Sequence, residues 1–347
     1  MSEEPHIQLI RALCRAFLVQ SRPNIPSGLK TLNEAAFIKY LIQHKCVPIA
    51  NVYLEDIRPL ISEKCRKAIQ AKCRRRIIRS MAMHREGEII RQACAENNIW
   101  VEPYKGGQFA KIFYTDHSIR TSVDIDFAIH ESDLSSCFNL VSNLGFTPID
   151  GKILTHSLQH QRGYFLDYQW FKSENDVPIS IEFHLAPAHK ALYLPLEFGN
   201  YRPSKAQPVF SKIDHALFAI IHHGIVDTWG KLFHLIDLYR IFTVLSDEEY
   251  AELVLRCKNL GIEQYLALGF YMIHQIFDVD VPIPSYTPRT QLCNEICEEA
   301  VSSRLFDKWS KNRKKIIYYL LLRSNMSDRI KSLLALMRYG VFQITGR

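Results

Sequence analysis

The stretch KGGQFAKIFYTDHSIRTSVDIDFAI occupies residues 105–129 and holds the signals that decide the fold. It opens with two adjacent glycines, which follow a short β-rich segment at residues 99–104. Residues 108–114 have a helical pattern, and residues 123–129 alternate as a strand does and include two aspartates. This order of strand, glycine turn, helix and acidic strand predicts an α/β unit, and it is more specific than either the glycines or the aspartates alone.

The two aspartates of this stretch are Asp124 and Asp126. Side chains at positions i and i+2 of a strand project from the same face, so the two carboxylates are expected side by side. Such neighbours repel each other unless a cation neutralises them, and hard oxygen ligands favour Mg²⁺. The alternative is an exposed strand end whose acids are solvated. The pair alone does not decide between these interpretations.

The glycines Gly106 and Gly107 precede the helix, where backbone N–H groups are available to phosphate oxygens. Two residues without a Cβ let a triphosphate approach the backbone closely. An ordinary tight turn is the alternative interpretation. Lys105 and Arg120 are candidates for neutralising phosphate charge, although surface salt bridges are an alternative for both.

A third carboxylate is expected on a hairpin formed by residues 164–171 and 177–185. Glu182 is the candidate, and His184 shares its face of the second strand. Asp167, on the first strand, is a second possibility for this carboxylate. His184 is interpreted either as a residue that orients a metal ligand or contacts substrate, or as a structural histidine.

The rest of the chain predicts helical regions on both sides of an α/β segment. Residues 1–97 are predicted helical, with one or two long helices from about residue 54 to residue 97; residues 98–205 form the α/β domain, and residues 206–347 form a C-terminal helical domain. In the α/β segment, Ser132 or Asp133 is expected to cap a helix that ends near residue 144, with Gly145 directly after it.

Two further clusters have ambiguous patterns. The basic stretch at residues 64–79 offers charge for nucleic acid, but it lacks interleaved aromatic residues, so a solvated helix face is favoured. His222 and His223, with His234, suggest a metal site. Adjacent residues on an α-helix point about 100° apart, which favours packing and hydrogen bonding for this pair instead.

The composition is that of a folded protein. Its positive net charge is compatible with a polyanionic ligand but does not show that the protein binds one. The net charge is +7, and the nine cysteines include no C-x-x-C pair. We expect reduced thiols in a soluble, cytoplasmic protein. The N-terminal residues are acidic and lack an apolar signal core, and no segment approaches the ~20 apolar residues that a membrane helix needs.

Several motifs together make the chain resemble a known superfamily. They are the triplet Lys105-Gly106-Gly107, Arg120 followed by Asp124 and Asp126, Gly145-Phe146, Glu182 with His184, and the downstream His222-His223-Gly224, Trp229 and Asp237. In this order they resemble the polymerase-β-like nucleotidyltransferases, and within them a bacterial group described as uncharacterised nucleotidyltransferases. The resemblance covers roughly residues 98–240.

The resemblance implies an α+β fold, with a polymerase-β-like domain of mixed sheet and helices flanked by helical regions. It implies that Gly106 and Gly107 hold a nucleoside triphosphate, with ATP the expected donor, and that Asp124 and Asp126 bind two Mg²⁺ ions. Glu182 would complete the metal site and help to deprotonate an acceptor hydroxyl. This chain has Gly107 where the wider superfamily usually has serine, and Glu182 where aspartate is more frequent in the group.

Three functions follow as hypotheses. The leading one is transfer of a nucleoside monophosphate to a hydroxyl of an unidentified small molecule or peptide. The second is modification of RNA or of a partner protein, with nucleic acid the less favoured acceptor. The third is a nucleotide-binding module that has lost catalysis.

Overall fold

The computed structural model describes residues 4–26, 29, 32–149, 167–174, 177–189, 192–201, 209–282, 284, 288–303 and 313–345. Its backbone groups into two compact units, each made from two stretches of the chain. One unit comprises residues 1–75 and 222–324, and the other comprises residues 76–221 and 325–347. These bounds describe compactness, and the three-region division made from the sequence stays a prediction about domains.

Within the described residues of the first unit, all regular secondary structure is helical. Its helices before the long helix are Pro5–Leu18, Glu34–Gln43, Val47–Val52 and the short 3₁₀ turn Arg58–Leu60. Its later helices are Leu232–Val244, Asp247–Asn259, Glu263–Phe277, Thr290–Val301 and Arg313–Leu321. Apolar side chains from Pro5–Leu18 and Glu263–Phe277 are almost completely buried, so burial of their apolar faces holds these helices in place.

A long helix, Glu63–Glu96, runs from the first unit into the second. The sequence prediction of a long helix ending near residue 97 is confirmed, and Asn98 follows it with a left-handed φ of 55°. Its basic residues Lys64, Lys67, Arg74 and Arg75 are exposed, as expected for a solvated face.

The second unit contains a five-stranded mixed sheet within its described residues. The strands are β1 (Val101–Pro103), β2 (Ile125–Ile129), β3 (Thr147–Pro148), β4 (Asp167–Glu174) and β5 (Val177–His184). Their order is β1-β2-β5-β4-β3, in which β2 and β5 are parallel and the other neighbours are antiparallel. The α+β class and the predicted hairpin of β4 and β5 are confirmed, while residues 164–166 and the turn at 175–176 lie outside the described residues.

The two faces of this sheet have different environments, which decides where the site lies. Phe127, Ile181 and Phe183 project into a core that also contains Ile90 and Phe138, from the long helix and from the helix Leu134–Asn143. Ala128 lies on the opposite face, in an aromatic cluster with Tyr104, Phe198, Phe210 and Phe218. Because side chains alternate along a strand, Asp126 and Glu182 belong to this second face.

The helix after β2 corrects one prediction. The helix is Leu134–Asn143, preceded by a 3₁₀ turn at Glu131–Asp133, and neither Ser132 nor Asp133 caps it with a side-chain hydrogen bond. The Asp133 carboxylate instead accepts the backbone N–H of Trp100 at 3.0 Å, which removes it from the helix end. The expected Gly145 is confirmed, since it follows the helix with a φ of 86°.

Among the described residues, every helix is too short or too polar to cross a membrane.

Candidate active site

The parallel pairing of β2 and β5 brings two carboxylates together. Asp126 of β2 lies directly beside Glu182 of β5 in the strand register. Residues opposite each other on adjacent strands project from the same face, so both carboxylates point to the same side of the sheet. Asp126 is buried and Glu182 is half-buried. The local strand patterns predicted each of these residues as a site residue. Their proximity follows from the parallel pairing of β2 and β5.

His184 links the two carboxylates. Its Nε2 lies 3.0 Å from Asp126 Oδ1 and 3.4 Å from Glu182 Oε2. Ligand atoms of Asp126, Glu182 and His184 all lie within 4.8 Å of one another, which is close enough for a shared metal ion. Burial and the nearby Lys105 act to lower the pKa of His184, but hydrogen bonds to both carboxylates and the charge of Asp126 outweigh them and raise it.

Lys105 supplies positive charge beside the same carboxylate. Its Nζ lies 3.3 Å from Asp126 Oδ1 and 4.7 Å from the centre of the Tyr104 ring. Burial alone would lower the pKa of Lys105, but the attraction of Asp126 and Tyr104 raises it well above its ordinary value. Lys105 therefore stays protonated at neutral pH and places a positive charge directly before the two glycines.

The glycines begin the helix Gly106–Phe113, two residues earlier than the sequence predicted. Gly106 has a φ of 52°, and a Cβ there would lie 2.5 Å from Ser122 Oγ. A Cβ on Gly107 would collide with the ring of His84. Both positions thus favour glycine, and the start of a helix is a place where backbone N–H groups can bind an anion.

A cleft lies beside Gly107. Its wall includes Lys105, Gly107, Ser122, Asp124 and Asp126, together with Ser80, His84 and Lys111. A cleft that combines cationic groups, the start of a helix and carboxylates suits an anionic ligand accompanied by a metal ion.

Three residues of this cleft were missed by sequence reasoning: Ser80, His84 and Ser122. Ser80 and His84 lie on the long helix, whose contacts with the glycine turn have no local sequence signal. Burial and the charge of Lys111 lower the pKa of His84, so its ring is neutral near pH 7. Ser122 precedes Asp124 by two residues. Its position just before the strand that carries the aspartates is the only sequence signal that could have identified it as a site residue. Within the described residues its buried Oγ has no hydrogen-bond partner.

Two predicted residues lie farther from the cluster. Asp124 precedes β2 and lines the cleft, but it is not part of the close group of Asp126, Glu182 and His184. The Arg120 guanidinium lies over the Phe109 ring, 5.7 Å from its centre, rather than in the cleft wall. The roles of both residues remain predictions.

Gln169 has a supporting position on β4. It is paired with Glu182 in the strand register, and its Nε2 donates a hydrogen bond of 2.7 Å to Glu182 Oε1. This contact fixes one carboxylate oxygen and leaves Oε2 facing His184.

A mixed sheet with paired carboxylates beside a glycine-led helix is a fold and site suited to transfer reactions of phosphate compounds. The comparison with protein families agrees with this class. Residues 30–278 match the family described as "Uncharacterised nucleotidyltransferase", and the chain belongs to that family. Membership makes it a nucleotidyltransferase-family protein and implies a nucleotide substrate. No curated protein and no solved structure matches the chain significantly.

Proposed function

We propose that this protein is a Mg²⁺-dependent nucleotidyltransferase that transfers a nucleoside monophosphate, AMP from ATP, to a hydroxyl of a small molecule or peptide. One observation carries the proposal. Asp126 and Glu182 lie in register on adjacent parallel strands, and Asp126 Oδ1 lies 3.3 Å from Nζ of Lys105, the residue directly before the glycine-led helix. The family adds the class of reaction.

The donor set fits Mg²⁺. The carboxylate oxygens of Asp126 and Glu182 are hard ligands on one face of the sheet, and Asp124 lines the cleft beside Asp126. We assign the metal to these three residues. When bound, it would neutralise phosphate charge and lower the pKa of the acceptor hydroxyl. Lys105 already neutralises Asp126 in part, so cation binding replaces an existing electrostatic partner rather than relieving bare repulsion.

The protein's own side chains then have distinct tasks. The N–H groups at the start of Gly106–Phe113 and the Lys105 ammonium would bind phosphate oxygens. The Nε2 of His184 holds Asp126 Oδ1 in place, and the Nε2 of Gln169 holds Glu182 Oε1. These contacts orient both carboxylates before substrate binds, which lowers the reorganisation that the reaction requires.

The position of the label in ATP tests the type of transfer. The purified chain is incubated with Mg²⁺, a panel of hydroxyl compounds, and ATP labelled either at the α- or at the γ-phosphorus. We expect the α-label in a product together with free pyrophosphate. Asp126→Asn should reduce transfer at least about 100-fold, because a charged metal ligand is replaced by a neutral amide.

The control is Asp116→Asn, which removes an exposed carboxylate from the loop between the helix and β2. It should leave transfer unchanged. Transfer of the γ-label would instead assign a phosphoryl transferase, and equal transfer by Asp126→Asn and the unaltered chain would refute the proposed site.

A nucleotide-binding module without catalysis is the second candidate. The observation that favours it is the separation of Asp124 from the close group of Asp126, Glu182 and His184. In that case ATP and Mg²⁺ would raise the melting temperature, while no product formed with any acceptor in the panel.

A further inference from the structure

The segment after Lys212–Ala219 is wound as a π-helix, Ile220–Val226, rather than as an α-helix. Its wider turn continues past the helix end, where the N–H of Asp227 bonds to the carbonyl of His222 at 3.1 Å, a spacing of five residues. Asp227 is therefore brought next to His222. Ligand atoms of His222, His223 and Asp227 lie within 4.8 Å of one another. The expectation that adjacent histidines diverge assumed α-helical winding, which this segment does not have.

The backbone that follows is held in a strained conformation. Thr228 and Trp229 both have a φ of 51°, which costs non-glycine residues on the order of 1–3 kcal/mol each. Burial of Trp229 holds this conformation: the indole packs against Gly224 and Gly269, where a Cβ would lie 3.1 Å and 3.0 Å from it, and its Nε1 donates to Tyr265 O at 2.8 Å. The histidines and Asp227 are thus placed by a rigid frame.

His234 points into this group without a hydrogen bond. It is 1% exposed, and within the described residues neither of its ring nitrogens has a hydrogen-bond partner. Its ring stacks on His223 with 4.0 Å between centres, and its Nε2 lies 3.6 Å from Asp227 Oδ2, which is too long for a hydrogen bond. Because imidazole lone pairs lie in the ring plane, a ring stacked parallel to His223 cannot share a metal ion with it, so His234 borders the group of His222, His223 and Asp227 without belonging to it.

His223 has the carboxylate contact that is typical of metal-bound histidines. Its Nε2 lies 3.0 Å from Asp237 Oδ2, and Asp237 is completely buried. A carboxylate that holds one ring nitrogen fixes the tautomer and orients the other nitrogen, Nδ1, toward a ligand.

We propose that His222, His223 and Asp227 bind one Zn²⁺ ion. Two imidazoles and one carboxylate suit a four-coordinate zinc whose remaining position is open to water or another ligand. This site is separate from Asp126 and Glu182 and does not depend on the proposed transferase activity.

Lys231 makes the proposal specific. Its Nζ lies 3.3 Å from Asp227 Oδ2, the oxygen nearest His234. Without a metal, this ammonium neutralises Asp227; with a metal, it must move away or tolerate a second cation. Removal of the charge should therefore strengthen metal binding, which is not expected of a cluster that serves packing alone.

The test is a zinc titration of the full chain after chelator treatment, with a competing chromophoric chelator as the readout. We expect one tightly bound Zn²⁺ per chain, and Co²⁺ in its place should give the visible bands of a four-coordinate ion. Asp227→Asn and His222→Gln should each weaken binding at least about 10-fold. Lys231→Met should strengthen it. The control His274→Gln, a half-buried histidine of Glu263–Phe277, should leave it unchanged.

The Asp126→Asn chain separates this site from the proposed Mg²⁺ site and should bind zinc as the unaltered chain does. Failure to retain zinc would overturn the proposal, as would equal affinity in Asp227→Asn, His222→Gln and the unaltered chain. Loss of binding in Asp126→Asn would also contradict it. His222→Gln, Asp227→Asn and Lys231→Met change half-buried side chains, so all three variants are expected to fold.

Discussion

At the scale of single residues, Asp126 has the most constrained surroundings in the candidate active site. Its side chain is 9% exposed, and one oxygen, Oδ1, contacts both Lys105 and His184. A buried carboxylate is stable only when such partners compensate for lost hydration. The aspartate itself was recognisable from the sequence, because the i, i+2 pattern marks a strand face. Its contact with Lys105 was not, because 21 residues of chain separate them and only the folded turn closes that distance.

Gly106→Ala tests the glycine turn. A Cβ there would lie 2.5 Å from Ser122 Oγ, on a backbone with a φ of 52°, so we expect a loss of about 1 kcal/mol or more in the free energy of unfolding. ATP binding should weaken as well, measured by calorimetric titration. Gly199→Ala is the matched control, because no atom lies within 4 Å of its added Cβ. Equal effects of the two substitutions would count against a special role for the turn.

His44 should make stability depend on pH. Its Nδ1 accepts the N–H of Leu232 at 3.1 Å, and burial, with the charge of Lys231, lowers its pKa to about 3. Because the folded value lies below the unfolded one near 6.5, stability is complete above pH 6.5 and is lost as the pH falls toward 3. The expected slope is about 1.4 kcal/mol per pH unit for this proton.

Urea unfolding at a series of pH values measures this dependence. In His44→Gln the slope between pH 6.5 and pH 4 should be shallower by about one proton, even if the variant is less stable at pH 7. An unchanged slope would mean that His44 does not titrate as its burial requires.

At the scale of elements, local patterns predicted the helices and strands, while their pairing depends on contacts distant in sequence. The alternation around Glu182 predicted β5 and its polar face correctly. No local signal could state that β5 lies parallel to β2, because that choice depends on the whole sheet. The π-helix Ile220–Val226 was missed for a similar reason: its winding is maintained by the packing of Trp229 against Gly269, 40 residues away.

The helix Lys212–Ala219 offers a prediction at this scale. Ser211 and Asp214 form a reciprocal capping box at its start, and His215 Nδ1 lies 3.1 Å from the carbonyl oxygen of Tyr104, beside the candidate site. Ser211→Ala should lower the free energy of unfolding by about 1 kcal/mol, while Ser211→Thr, which keeps the cap, should change it little. Thermal or urea unfolding measures both, and equal losses would show that the cap is not the cause.

At the scale of the whole molecule, the candidate nucleotide site belongs to one compact unit and the proposed zinc site to the other. The sequence placed the nucleotide site in the α/β segment, but it could not indicate that residues 325–347 return to the same unit as the sheet. That grouping depends on long-range contacts alone.

Hydrogen exchange can separate the two sites. ATP with Mg²⁺ should slow amide exchange in residues 101–129 and 177–184, because the ligand binds there and suppresses local opening. Zn²⁺ should slow exchange in residues 220–237. If ATP and Mg²⁺ slowed exchange in residues 220–237 and not in residues 101–129, the nucleotide would bind in the first unit, and the candidate active site would be refuted.

The central claim is that Asp126 and Glu182 hold a divalent cation together with a nucleotide. It is tested most directly by titrating Mn²⁺ and ATP into the unaltered chain, Asp126→Asn, Glu182→Gln and the control Asp116→Asn, with bound Mn²⁺ followed by electron paramagnetic resonance. No acceptor is needed. The account predicts that ATP and Mn²⁺ bind cooperatively, that the first two substitutions weaken Mn²⁺ binding at least about 10-fold, and that Asp116→Asn has no effect. Equal Mn²⁺ affinity in all four chains would contradict it.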